Sequence, residues 1–393
     1  MDDQEYDYLS GPSLLDDEEL RDALDYVEKV RQKENSVPLE VLAQSYIPKK
    51  RPLAAIVLYA GDPIGEIARK LLLVVSLLVF VGAVSILINE SVIIPKQNAA
   101  LTEELTNIRY NNQSSQLTEE AERWDGYPSE IQDDLKTLYY LNNDIRGWLK
   151  YGTCGVDREV MYSGDNDYYL THDFYRNQNK NGALFFDANN KLDTATSRSK
   201  SLVIYGHNMA SGQMFAKLND LAGSLSTMKN RNQLITLDTL FTTAQYKIFA
   251  VVLQDSKANP AHYFSIQETS FTNNNEFLKY VDGLRARSLY DFPDVDVVAS
   301  DELLILYTCT PKSIAHFDDA RLAVVARKVR AEESAAVSSA NVVQNKDVIM
   351  PYRWYTAQKK TPHDYYGATT TATTTTKPTT TATDKTAATT TTP

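Results

Sequence analysis

Cysteine is scarce in this chain: of 393 residues only Cys154 and Cys309 carry a thiol. Two thiols exclude a disulfide-dense scaffold and a four-cysteine zinc site. The 5 histidines leave room for one catalytic imidazole but not for a histidine cluster. No metal site is visible, and no cofactor is expected. An excess of positive charge is missing as well. Lys and Arg total 40 against 51 Asp and Glu, a net charge of −11. That balance argues against nucleic acid as a partner, which calls for a basic face. The acidity is uneven: residues 1–48 hold 13 acids and 4 bases, or −9, which leaves −2 for the rest. The bulk of the protein is therefore nearly neutral behind an acidic head.

One long apolar run stands out. Leu71–Ile88 has 18 residues without a charge or a proline. With Val92, Ile93 and Ile94 it covers the ~20 residues that a ~30 Å hydrocarbon core requires. It starts too far into the chain for a cleavable signal peptide, and no small-residue cleavage site follows. Lys49, Lys50, Arg51, Arg69 and Lys70 precede it, whereas Lys96 is the one base soon after. The positive-inside rule then puts 1–68 in the cytoplasm and the chain beyond about 95 outside. Leu53–Ala68, broken by Gly61 and Pro63, is expected along the inner membrane surface. The expected domains are an acidic cytoplasmic segment (1–68), a signal-anchor helix (69–94), a helical stalk (95–125), a catalytic domain (126–332) and a linker with a disordered tail (333–393).

In the stalk, Leu101, Leu105 and Ile108 form one narrow helical stripe, which suits a pairing face as well as a solvated spacer. From 126 to 332 apolar, β-rich runs alternate with Asn-, Asp- and Gly-rich loops. The runs are Ser201–Tyr205, Leu234–Leu237, Tyr246–Leu253, Leu303–Tyr307 and Leu322–Val329, a mostly-β pattern. Helices are expected at Glu130–Lys150 and Asn273–Leu289. In the second, Asn273 and Glu276 have capping-box spacing and Phe277, Val281 and Leu284 share a face. Ala368–Pro393 contains 16 Thr and 5 Ala in 26 residues. It lacks the apolar surface to offset chain entropy and reads as a disordered tail or a glycan-bearing stalk.

Chemistry centres on Cys309. It ends the apolar strand Leu303–Tyr307, and Thr310-Pro311 turns the chain away behind it. A thiol there stands at a sheet rim, although a lone cysteine is as often a buried structural residue. A nucleophilic thiol needs a partner that raises its thiolate fraction. His207 ends the strand Ser201–Tyr205 after Gly206 and can reach the same rim; His316 is the second choice. Arg321 opens the next strand and can hold a carbonyl or an oxyanion. A surface pairing of Arg321 with Asp318 or Asp319 fits its spacing too.

Taken together, these residues resemble the sortases, membrane-anchored cysteine transpeptidases of Gram-positive bacteria. Leu306-Tyr307-Thr308-Cys309 is similar to the family's Leu-x-Thr-Cys signature. Ile204–Met209 with Met214–Leu218, Asp165–Leu170 with His172–Phe174, and a helix inserted before the cysteine strand resemble class B. Asn143–Leu149 is similar to the family's run into the barrel. The resemblance implies an eight-stranded β-barrel with flanking helices behind one N-terminal transmembrane helix. It implies Cys309 as nucleophile, His207 as the acid that protonates the leaving amine, and Arg321 as the oxyanion holder. Thr308, Asn208 and Tyr307 would bind substrate. The implied partners are secreted proteins with a C-terminal Pro-x-Thr sorting motif and a peptidoglycan precursor or cross-bridge amine. A pilin-polymerising sortase and a non-catalytic wall-binding module are the alternatives. The long acidic head, the Thr-rich tail and Cys154 depart from the family pattern.

Overall fold

The uncharged run that begins at Leu71 folds as a helix. The computed structural model describes residues 17–33, 57–58, 62–111, 115–192, 194, 196–231 and 233–366. Most of the acidic head, part of Leu53–Ala68 and the whole Thr-rich tail therefore lie outside the described residues. The chain divides into two units, Met1–Ile94 and Pro95–Pro393.

The first unit holds α1 (Asp17–Lys33) and α2 (Ile64–Ile88), followed by a π-helical turn at Asn89–Ile93. Ile64–Ala68, expected on the membrane surface, instead forms the first turns of α2. There Arg69 pairs with Glu66 at 2.7 Å. Leu72 is 70% exposed and Phe80 65%. Apolar burial is worth roughly 25 cal/mol per Å², so such a surface is unfavourable in water. Helix α2 is long and apolar enough to cross a membrane.

Helix α3 (Ile94–Asn111) enters the second unit at Pro95, and α4 (Ser115–Arg123) and α5 (Asp133–Leu141) follow. The α3 stripe is not a free spacer. Leu105 is fully buried, with Leu101 and Ile108 beside it, against Leu135, Leu138 and Trp148. Arg109 locks the same face, bonding Asp134 at 2.7 Å and Asp238 at 2.5 Å. The helix expected at Glu130–Lys150 stops at Leu141, and Ile145–Tyr151 becomes strand β1. Gly147 explains part of this. A Cβ there would stand 2.5 Å from the carbonyl of Asp238, so the two strands can approach only through glycine.

The remaining strands are β2 (Val156–Met161), β3 (Leu184–Phe186), β4 (Ser201–Tyr205), β5 (Leu234–Thr239), β6 (Thr243–Asp255), β7 (Tyr290–Asp291), β8 (Leu303–Thr310), β9 (Ala320–Lys328) and β10 (Val343–Gln344). Eight of them close a barrel in the order β1-β2-β3-β4-β8-β9-β6-β5. Strands β4, β8 and β9 are buried on both faces. Leu202, Ile204, Leu304, Leu306, Leu322 and Val324 fill one side, while Val203, Ile305 and Val325 fill the other. Two-sided burial is why these strands read as unbroken apolar runs. Between β6 and β8 lies α6 (Asn274–Arg287). Asn273 caps it, accepting from the Glu276 amide at 3.0 Å; Glu276 in turn accepts from the amide of Thr272 at 2.7 Å, one residue earlier than a capping box requires.

Folded structure continues past 332, where the sequence reading expects a linker. Strand β10 pairs antiparallel with β7, and α7 (Tyr352–Ala357) follows. Val342, Met350 and Tyr355 are buried in the main core. These apolar residues are too widely spaced to show a helical or strand period in sequence.

Candidate active site

The site is built from the ends of neighbouring strands. In the antiparallel β8–β9 pair, Cys309 stands directly opposite Arg321. Strand β4 runs parallel to β8, with Tyr205 level with Tyr307. The pairing continues past the end of β4. The Gly206 amide donates to the Tyr307 carbonyl at 3.2 Å, and the Thr308 hydroxyl donates to the Gly206 carbonyl at 2.7 Å. His207 therefore leaves β4 at the level of Cys309. On the far side of β9, Arg321 pairs with Gln254 of β6. His207, Cys309, Arg321 and Gln254 make one row across β4, β8, β9 and β6. In the antiparallel β8–β9 and β9–β6 pairs, residues facing one another have Cβ atoms about 4.5–5.5 Å apart. Gly206 is required: a Cβ would come within 2.5 Å of Leu184 and 2.6 Å of Phe215.

Each member of the row has its own setting. Cys309 is exposed, whereas the six residues of β8 before it are buried. Asn219 holds its backbone, donating to the Cys309 carbonyl at 3.1 Å. The His207 ring places Nε2 at 2.9 Å from the carbonyl of Leu170. A carbonyl can only accept, so Nε2 carries the hydrogen and Nδ1 is the nitrogen that can take up or release a proton. Arg321 is half-buried and gives one N–H to the Ala320 carbonyl at 3.1 Å. The acids weighed as its partners are engaged by lysines: Lys312 bonds Asp318 at 3.0 Å and Lys257 bonds Asp319 at 2.8 Å.

The remaining expected residues separate. Tyr307 shares the Cys309 face, packs edge-on against Tyr205 at 5.5 Å and donates its hydroxyl to Gln254. Burial pushes its phenol well above the ordinary range. Asn208 is partly exposed and bridges Met214. Thr308 is placed differently from the expectation of a substrate-binding residue. It is 2% exposed, points to the face opposite Cys309 and spends its hydroxyl on Gly206, so it ties β8 to β4. His316 ends a short helical turn in the left-handed region, φ 66°, and is not part of the row. Cys154 lies in a 3-10 turn and is 1% exposed. Burial pushes its thiol up to about 11.

Sequence reasoning missed Gln254, Asn219 and the Leu170 carbonyl. The segments around Leu170 and Asn219 were visible as patterns, but a backbone carbonyl has no residue-type signature. Gln254 joins the row only through the register of β6 on β9.

Comparison with known proteins follows this geometry. A family model described as the sortase domain matches residues 163–329. Sortase B of Listeria monocytogenes is 31% identical over 180 residues, 46% of this chain and 68% of that protein. Sortase B of Staphylococcus aureus is 25% identical over 179 residues, with the same shares. Among solved structures, a Staphylococcus aureus sortase B–substrate complex has 23% identity and a TM-score of 0.48, covering 61% of this chain and all of that one. Clostridium perfringens sortase B has 28% identity and a TM-score of 0.44, covering 50% of this chain and 99% of that one. The chain belongs to the sortase family and is a cysteine transpeptidase. Within that family it is a class B sortase. Membership implies the anchoring of proteins to the cell wall.

Proposed function

We propose that this enzyme cleaves a Pro-x-Thr sorting motif in secreted proteins and joins the threonine carbonyl to a peptidoglycan amine. The observation that carries the residue assignment is the position of Cys309, exposed near a strand end, opposite Arg321 and beside the strand that His207 follows by two residues. The Cys309 thiolate attacks the threonine carbonyl carbon. Arg321 meets the oxyanion with a planar fork of N–H donors. As the C–N bond breaks, His207 gives its proton to the leaving amine, and a thioester remains. An incoming amine then attacks the thioester, His207 takes a proton back, and the thiolate leaves. Division into two steps lets the amine, rather than water, decide the product.

Tyr307 and Asn208 line the groove in this reading, and the barrel works outside the cell with residues 1–68 in the cytoplasm. The five bases before Leu71 support that orientation. Trapping the enzyme with a sorting-motif peptide and mapping the adduct by mass spectrometry tests the assignment. The acyl group is expected on Cys309, and an adduct on Cys154 would overturn it. For orientation, protease outside wall-stripped cells is expected to remove the barrel and spare an N-terminal tag. Loss of the tag with survival of the barrel would reverse the topology.

A further inference from the structure

The arm formed by residues 333–366 lies beyond the family-model match, which ends at 329. It returns to the rim that carries the catalytic row. Asn345 Nδ2 donates to the Ser288 carbonyl at 2.9 Å, and the Ile349 amide to the Ala286 carbonyl at 2.9 Å. Tyr352 stacks on His262 with ring centres 4.3 Å apart. The next residue, Arg353, bonds Asp255 at 3.1 Å, and that carboxylate is 2% exposed. The same guanidinium lies 5.6 Å from the ring centre of Phe317.

Both contacts converge on the approach to Arg321. Asp255 is the cross-strand partner of Ala320, one step from the Gln254–Arg321 pair. Phe317 is 3% exposed and sits in the loop that leads from Cys309 to Arg321. That loop needs outside support. His316 (φ 66°) and Asp319 (φ 60°) both occupy the left-handed region. A non-glycine residue in that region is strained and persists only where its surroundings hold it. Ser256 fastens one end, its amide and hydroxyl donating to the Asp319 carbonyl at 3.3 and 2.7 Å. Arg353 secures the other side by joining the buried Asp255 to Phe317.

We infer that Arg353 is a positioning residue: by gripping Asp255 and Phe317 it sets the loop into β9 and so holds Arg321 beside Cys309. This rests on the reading that Arg321 serves Cys309. The arm is then part of the working enzyme and not a spacer between barrel and tail.

The test uses the full chain in detergent and iodoacetamide as probe, so it needs no knowledge of the sorting motif. The rate of Cys309 alkylation is followed by peptide mass spectrometry across pH. With Arg321 directly across the strand pair from Cys309, Arg321→Ala is expected to slow alkylation near pH 7 about tenfold if the guanidinium serves the thiol. Arg353→Ala is expected to slow it about threefold, with the difference vanishing once the thiol is fully ionised at alkaline pH. Arg353→Lys keeps the charge but not the planar contact with Phe317, and is expected to recover most of the rate. Asp255→Asn, which keeps the shape, should reproduce the Arg353→Ala profile. In an Arg321→Ala background, Arg353→Ala should add nothing, because coupled residues are non-additive. An unchanged or faster rate in Arg353→Ala, or a loss that simply adds to that of Arg321→Ala, overturns the inference and leaves the Arg321 reading standing. If Arg321→Ala itself leaves the rate unchanged, that reading falls and the inference falls with it.

Discussion

Cys154 and Cys309 carry the same side chain in opposite settings. Cys309 stands near the end of a strand, exposed, with Arg321 opposite it and His207 just past the end of the neighbouring strand β4. Cys154 closes a 3-10 turn, almost sealed from solvent, with its sulfur 3.7 Å from the carbonyl of Lys217. A strand end delivers a side chain to an open rim while the buried strand behind it supplies rigidity. A buried turn delivers the same atom into the core and holds its proton in place. With the residue type the same in both, what differs is where the backbone places the thiol: buried at Cys154, exposed at Cys309.

Turnover gives the largest contrast. Cys309→Ala is expected to abolish cleavage of a sorting-motif peptide, since no other side chain in the row can form a thioester. Cys154→Ala is expected to leave cleavage near the wild-type rate. Residual turnover by Cys309→Ala would break the comparison at its centre.

Selective labelling comes next. The Cys154 thiol is pushed up to about 11 from an ordinary 9.0, chiefly by burial. That alone cuts its thiolate fraction near neutral pH roughly a hundredfold. Iodoacetamide near pH 7.5 should therefore modify Cys309 and reach Cys154 only after denaturation. Equal labelling of both in the folded enzyme would show that the turn opens readily.

Much of the row was legible in advance, because Cys309, His207 and Arg321 each combine a distinctive side chain with a strand end marked by Gly206 or Thr310-Pro311. The long apolar strands were legible for the same reason: burial on both faces leaves no polar interruption. Strands β1 and β2 were hidden because Gly147, Arg158 and Glu159 break the apolar pattern, although Glu159 is 1% exposed and Arg158 7%. Their pairing is set by partners far along the chain, as in the match of Trp148 with both Glu159 and Asp238. Gln254 and the Leu170 carbonyl were hidden likewise, since cross-strand register is a property of the closed barrel and not of any local window.

Alkaline stability sharpens the comparison further. Below about pH 9 the Cys154 thiol is neutral in the folded and the unfolded chain, and it contributes no pH dependence. Between about 9 and about 11 the unfolded chain releases the proton while the folded chain retains it. The unfolded state is then favoured, so stability falls as pH rises through that window, by about 2–3 kcal/mol in all. Denaturant melts at pH 8 and pH 10.5 should show a smaller loss for Cys154→Ala than for the wild type. Equal losses would mean that this thiol ionises near its ordinary value and is less enclosed than its burial implies.

The smallest effect separates the two cysteines at neutral pH by stability alone. Cys154 packs in the main core with Tyr151, Val156 and Leu218. Trimming its sulfur to a methyl removes one buried heavy atom and leaves a gap that neighbours fill only in part. A cost of about 1–2 kcal/mol is expected, at the low end for core truncations. A domain of this size should then melt a few degrees lower. At Cys309 the sulfur is exposed, so Cys309→Ala should change stability by less than the ~0.5 kcal/mol typical of surface changes and barely move the melting temperature. The expected effects on catalysis and stability thus invert: Cys309→Ala should spare the fold and abolish turnover, and Cys154→Ala should do the reverse. A drop of several degrees in Cys309→Ala would place that sulfur in the packed core, and the exposed-rim account of the site would fail.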